Sequence, residues 1–139
     1  VLTSNGAGSA PTFQTTATAS ITDFVGNTTR DTAAASGTQA ITGVGFTPTA
    51  VEIYAAQSGG IEASWGFYDG ANYGCLFHDQ GTTANTFGVA TNKIIELVET
   101  SSNIYSGTIS SLDVDGFKIS WTKSGTPTGT ATIMYQVIR

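Results

Sequence analysis

The chain has 139 residues, 40% of them hydrophobic and only 11% charged, with five Lys or Arg against ten Asp or Glu and a formal net charge of −5. That length suits one ordinary domain with a sizeable core. The acidic balance offers no basic patch to neutralise phosphates, and no apolar run approaches the roughly 20 residues of a membrane span, so neither a nucleic-acid partner nor membrane insertion is expected.

Residues 1–22 carry no charge, and their Gly, Ala, Ser and Thr cannot bury enough apolar area to offset the entropy of ordering them. Starting without Met, this stretch reads as part of a longer chain, either held by neighbouring copies or a flexible Gly-Ser-Thr leader. From Thr38 onward the texture changes. Val51, Ile53 and Ala55 alternate with Glu52 and Tyr54, the period of a strand with one buried face, and Pro48 sits just ahead of it where a missing donor is harmless. "ASWGFYDGANYGCLF" predicts two short strands around Asp69-Gly70, a dipeptide suited to a hairpin turn. Cys75 is the single cysteine, which excludes an intrachain disulfide and a cysteine zinc cluster and predicts a small buried thiol. "TNKIIELVE" is apolar on both faces, and its β-branched residues favour a strand over a helical turn.

Past a second turn at Asp115-Gly116, Phe117, Ile119 and Trp121 alternate with Lys118, Ser120 and Thr122, a half-buried strand. "SGTPTGT" breaks the pattern, and Ala131 to Ile138 is apolar enough for a final, central strand. Short strands at this spacing predict an all-β chain: an antiparallel β-sandwich, jelly-roll-like, with an extended N-terminal segment. Residues 1–37 are assigned to a leader and connector and residues 38–139 to the sandwich domain.

The stretch "VLTSNGAGSAPTFQ" resembles a segment found in tail-fibre and host-recognition proteins of tailed bacteriophages, where it commonly precedes a C-terminal domain. "ITGVGFTPTAVEIYAA", "WGFYDG" and "DVDGFKISWT" with "GTATIMYQVI" are similar to a small β domain of phage structural proteins. Together they cover most of the chain, leaving residues 15–37 as a poorly matched connector. The resemblance implies a virion protein of the tail fibre, made in the host bacterial cytoplasm and assembled as a homotrimer. It implies contact with a bacterial surface polysaccharide or outer-membrane protein, and it transfers no catalytic or ligand-binding residue.

The residues themselves favour binding over catalysis. His78 and Asp79 are neighbours on a predicted strand and so point to opposite faces, which defeats an acid–base dyad. Asp113 and Asp115 have the spacing for one strand face, but calcium wants six to eight oxygens, and turn chemistry explains them better. No cofactor or metal is expected. Asn27-Thr28-Thr29 is a formal glycosylation acceptor without meaning in bacterial cytoplasm. Two carboxylates could cut polysaccharide, yet tail enzymes of that kind are usually much longer.

Aromatic faces stack on sugars while neighbouring polar groups bond the hydroxyls, which makes Trp65, Tyr68, Asp69, Asn72, Tyr73 and His78 the candidate receptor or glycan site. Against this, Trp65, Phe67 and Phe77 also suit a core, which leaves Tyr68 and Tyr73 as the rings expected to be exposed. The readings are a receptor-binding tip, a purely structural module for fibre trimerisation or capsid decoration, and an enzyme fragment.

Overall fold

The computed structural model describes residues 2–3, 12–13, 22–79, 81 and 86–139. These are all-β, with no helix among the described residues. The strands are β1 (Leu2–Thr3), β2 (Thr12–Phe13), β3 (Asp23–Asp31), β4 (Gly37–Thr42), β5 (Ala50–Gln57), β6 (Ala63–Tyr68), β7 (Tyr73–Asp79), β8 (Thr86–Ala90), β9 (Ile95–Val98), β10 (Ile104–Asp113), β11 (Gly116–Ser124) and β12 (Thr130–Ile138). β1 and β2 pair as a separate two-stranded sheet; the rest of residues 1–21, and with it the leader's expected contact with neighbouring copies, lies outside the described residues.

The other strands form one ten-stranded sheet in the order β3-β12-β5-β6-β7-β9-β10-β11-β4, with β8 on the edge of β7. Every pairing is antiparallel except a single parallel bridge, Asp79 to Val98. The sheet rolls until its ends nearly close. Gln39 of β4 makes that closure by donating its amide to Thr28 Oγ1 and Thr29 O of β3, both at 3.1 Å. Opposite walls meet across the core as in a sandwich, with the Phe117 ring of β11 edge-on to Tyr135 of β12 at 5.3 Å. The chain crosses between walls from β3 to β4 to β5 and again from β11 to β12, as in a jelly roll, whereas β5 to β8 and β9 to β11 run as meanders.

The domain begins earlier than composition suggested. β3 lies inside the segment assigned to the connector, yet all nine of its residues pair with β12, from Asp23 with Ile138 to Asp31 with Thr130. Its inward positions are Phe24, Gly26, Thr28 and Arg30, too mixed to read as an apolar period.

Alternation holds where it was legible. Val51, Ile53 and Ala55 are buried on β5, Phe117, Ile119 and Trp121 on β11, and every second residue from Ala131 to Val137 on β12. β9 is buried on both faces, as its unbroken apolar run requires. At the seam, Arg30 crosses from β3 to donate to Tyr105 Oη at 2.7 Å, and its guanidinium lies 5.8 Å from the Tyr105 ring and 5.9 Å from that of Trp121. Those rings stack on each other at 5.1 Å. The cation is held by ring faces and an acceptor oxygen rather than by a carboxylate.

Candidate functional site

An exposed apolar face covers the outside of the wall formed by β12, β5, β6, β7 and β8. Strand register builds it: Met134 pairs with Tyr54, Tyr54 with Trp65, Trp65 with Leu76, and Leu76 with Val89. Residues opposite one another in a sheet share a face, so these five side chains form one row across five strands. Phe67 and Phe87 flank the row, and all seven are exposed, Trp65 at 51%, Phe67 at 56% and Val89 at 73%.

The row is ordered by a carboxylate. Glu52 Oε1 accepts from Tyr54 Oη at 2.7 Å and from Trp65 Nε1 at 2.8 Å, and the two rings lie 5.9 Å apart with planes 4° from parallel. The Glu52 acceptor pushes the Tyr54 phenol above its ordinary pKa. Both rings thus present apolar surface to solvent while their polar ends are satisfied within the sheet.

The six residues of the candidate site do not form one cluster. Trp65 and His78 share the outer face; His78 is half-buried, 5.5 Å edge-on to Phe87. Tyr68 and Tyr73 pair across β6 and β7 on the opposite, inward face, with rings 5.3 Å apart. Both are half-buried rather than exposed, because positions 64, 66 and 68 alternate with outward Trp65 and Phe67; Tyr68 packs on the core and donates to Gly70 O at 3.0 Å. Trp65 and Phe67, which also suited a core, are on the surface, and Phe77 is half-buried.

Asp69 and Asn72 form the hairpin turn. Asp69 Oδ1 accepts the backbone N–H of Asn72 and of Ala71, at 2.6 and 2.9 Å, and Oδ2 accepts the Asn72 amide at 3.2 Å. These donors, the Asn72 N–H foremost, hold the Asp69 carboxyl below its ordinary pKa. Gly70 supplies the positive φ of +93° that the turn requires.

The other carboxylates singled out from the sequence, Asp79, Asp113 and Asp115, have structural partners. Asp79 Oδ1 accepts the Gly81 N–H at 2.8 Å on the face of β7 away from His78. Asp113 pairs with Lys118 at 2.9 Å, while Asp115 accepts the N–H groups of Gly43 and Gly45 at 3.0 and 2.6 Å, tying the turn after β10 to the loop after β4. Asp115 therefore bonds a distant loop rather than its own turn. Among the described residues no group of three or more His, Cys, Asp or Glu could hold a metal ion. Cys75 is buried, and desolvation raises its thiol pKa.

Sequence reading did not find the row as such. Its signal was apolar residues on the outward phase: Tyr54 beside inward Ile53 and Ala55, and Phe87 and Val89 in "TFGVA", whose other phase holds only Thr86, Gly88 and Ala90. Compared with known proteins, the chain matches no family model, no curated protein and no solved structure.

Proposed function

We propose that the chain is a non-enzymatic C-terminal module of a tailed-bacteriophage tail fibre and serves as its receptor-binding tip, assembled from several copies and carried on the virion. The observation that carries the reading is the row Met134–Tyr54–Trp65–Leu76–Val89, a surface suited to contact, since large apolar side chains are held in water on a rigid sheet. The resemblance of residues 1–14 to fibre segments supports the same setting. Receptor contact falls to the end of the wall at Asp69–Asn72, where a turn held by its own hydrogen bonds presents Asn72, with half-buried Tyr73 beside it, at little ordering cost.

A second reading, a purely structural fibre module, draws on the extent of the same row. Apolar surface spread over five strands is wider than stacking on a sugar ring requires. Attachment separates the two. The purified protein is mixed with intact cells of candidate hosts before and after their surface polysaccharide is stripped. Binding lost on stripping identifies a glycan receptor, and binding that survives identifies an outer-membrane protein. A well-folded protein that attaches to none of the hosts overturns the tip and leaves the structural module.

A further inference from the structure

The apolar face is too large to be a casual feature of a monomer. The four aromatic side chains alone, Tyr54, Trp65, Phe67 and Phe87, leave on the order of 450 Å² in water, counting about 200 Å² for a whole aromatic side chain, and Met134, Leu76 and Val89 add to it. Contiguous patches on monomeric proteins seldom exceed roughly 300–600 Å². A standard stable protein–protein interface buries about 800 Å² per partner, so the row would form its apolar core with a polar rim around it.

We infer that this outer face of β12, β5, β6, β7 and β8 is where copies of this chain pack against one another. The inference rests on the part of the preceding reading that makes the face a contact surface, and on nothing that depends on a receptor. Charge selects the occupant. Each copy carries a net charge of −5, which opposes association at most of its surface. The outward positions of these five strands hold one acidic residue, Glu52, one histidine, His78, and neither Lys nor Arg. Glu52 already has Tyr54 and Trp65 on one of its oxygens. A partner steered by complementary charge finds little to read there, whereas a second copy can bring its own near-neutral face up without meeting the bulk of the negative charge.

The rings are prepared for burial. Tyr54 and Trp65 are fixed in parallel planes before any partner arrives, so covering them forfeits little rotamer freedom and leaves neither polar end unpaired. Packing on this face also leaves the Asp69–Asn72 turn and the inward Tyr68–Tyr73 pair at its margin, so self-association and receptor contact are compatible.

The test is sedimentation of the full chain at tens of micromolar, alone and with Val89→Glu or Met134→Glu. These sites are at opposite ends of the row and exposed, so each variant is expected to keep the parental β-sheet circular dichroism and melting temperature. The parent is expected to sediment as a multiple of 14.3 kDa and both variants as monomers at the same concentration. A monomeric parent overturns the inference, and so does an oligomer that persists in both folded variants. If one variant unfolds, the other decides. Cell attachment is scored separately: a monomeric parent that still attaches to host cells removes this interface but not the receptor reading, and an oligomer that attaches to nothing does the reverse.

Discussion

Trp121 and Gln39 are joined by a hydrogen bond of 3.0 Å from the indole Nε1 to the side-chain carbonyl of Gln39, whose amide in turn reaches β3. One short polar side chain thus satisfies the largest buried ring and draws together the two ends of the rolled sheet. Trp121→Ala removes a ring that stacks on Tyr105 and lies under Arg30, and is expected to cost about 3–5 kcal/mol. Gln39→Ala keeps the ring but orphans its N–H, at about 1–3 kcal/mol. Urea unfolding monitored by circular dichroism ranks them; a Gln39 variant as damaged as the Trp121 variant would mean that the seam, not the ring, dominates.

Gly66 lies between outward Trp65 and Phe67, and a Cβ on it would run into the backbone carbonyl of Ile94. The contact involves main chain, which cannot rotate away, so Gly66→Ala is expected to destabilise by about 1–3 kcal/mol or more. Gly43→Ala provides a contrast: nothing lies within 4 Å of its Cβ position, so its cost is confined to a φ of +87°. A Gly66 variant that melts with the parent would show that β6 and the residue before β9 can separate without penalty.

Asp115 links folding to acid. Its carboxyl is held below the ordinary value of 3.8 by the N–H groups of Gly45 and Gly43. A carboxylate with a lowered folded pKa adds stability that is fully present above the unfolded value and lost as pH falls through the folded one. Asp115→Ala is therefore expected to melt lower than the parent at neutral pH, with the gap closing well below pH 3.8. Melting curves from neutral pH down to about pH 2 test the sign, and a gap that widens in acid would refute it.

Half-buried strands were legible because one phase of their sequence is apolar and the other polar, as at Phe117–Trp121 and Val51–Ala55. β3 was not: its inward phase includes Gly26, left bare because a Cβ there would strike Tyr135, and Arg30, which lies against aromatic rings. Neither residue looks like core in a linear sequence. The outer row was illegible for the opposite reason. Trp65, Phe67 and Val89 look like core residues, and only the register of β5 to β8 reveals that they point into solvent beside Tyr54, which the alternation of β5 already placed outward. The rings expected to be exposed, Tyr68 and Tyr73, fall on the inward phase of the same strands.

That inversion sharpens the test of the hairpin as a receptor contact. Tyr68 packs on the core and bonds Gly70 O, so Tyr68→Ala is expected to lower stability by about 1–3 kcal/mol and says little about binding. Tyr73 begins β7 next to the exposed Asn72 and, although its ring packs on Tyr68, it is not among the residues packed on the core cluster. If the turn touches a receptor, Tyr73→Ala combined with Asn72→Ser should weaken attachment to host cells by about fivefold or more, the loss expected when a contact residue contributing over 1 kcal/mol is truncated. Serine retains a side-chain hydroxyl beside Asp69, so the turn should persist; loss of the Tyr73–Tyr68 ring contact is expected to cost about 0.5–1.5 kcal/mol or more, so attachment is compared at a temperature where both proteins are folded. The oligomer should be unaffected, since neither residue belongs to the outer row. Attachment unchanged in a folded double variant would remove the hairpin from the receptor site; attachment lost together with the oligomer would assign this end of the wall to contact between copies instead.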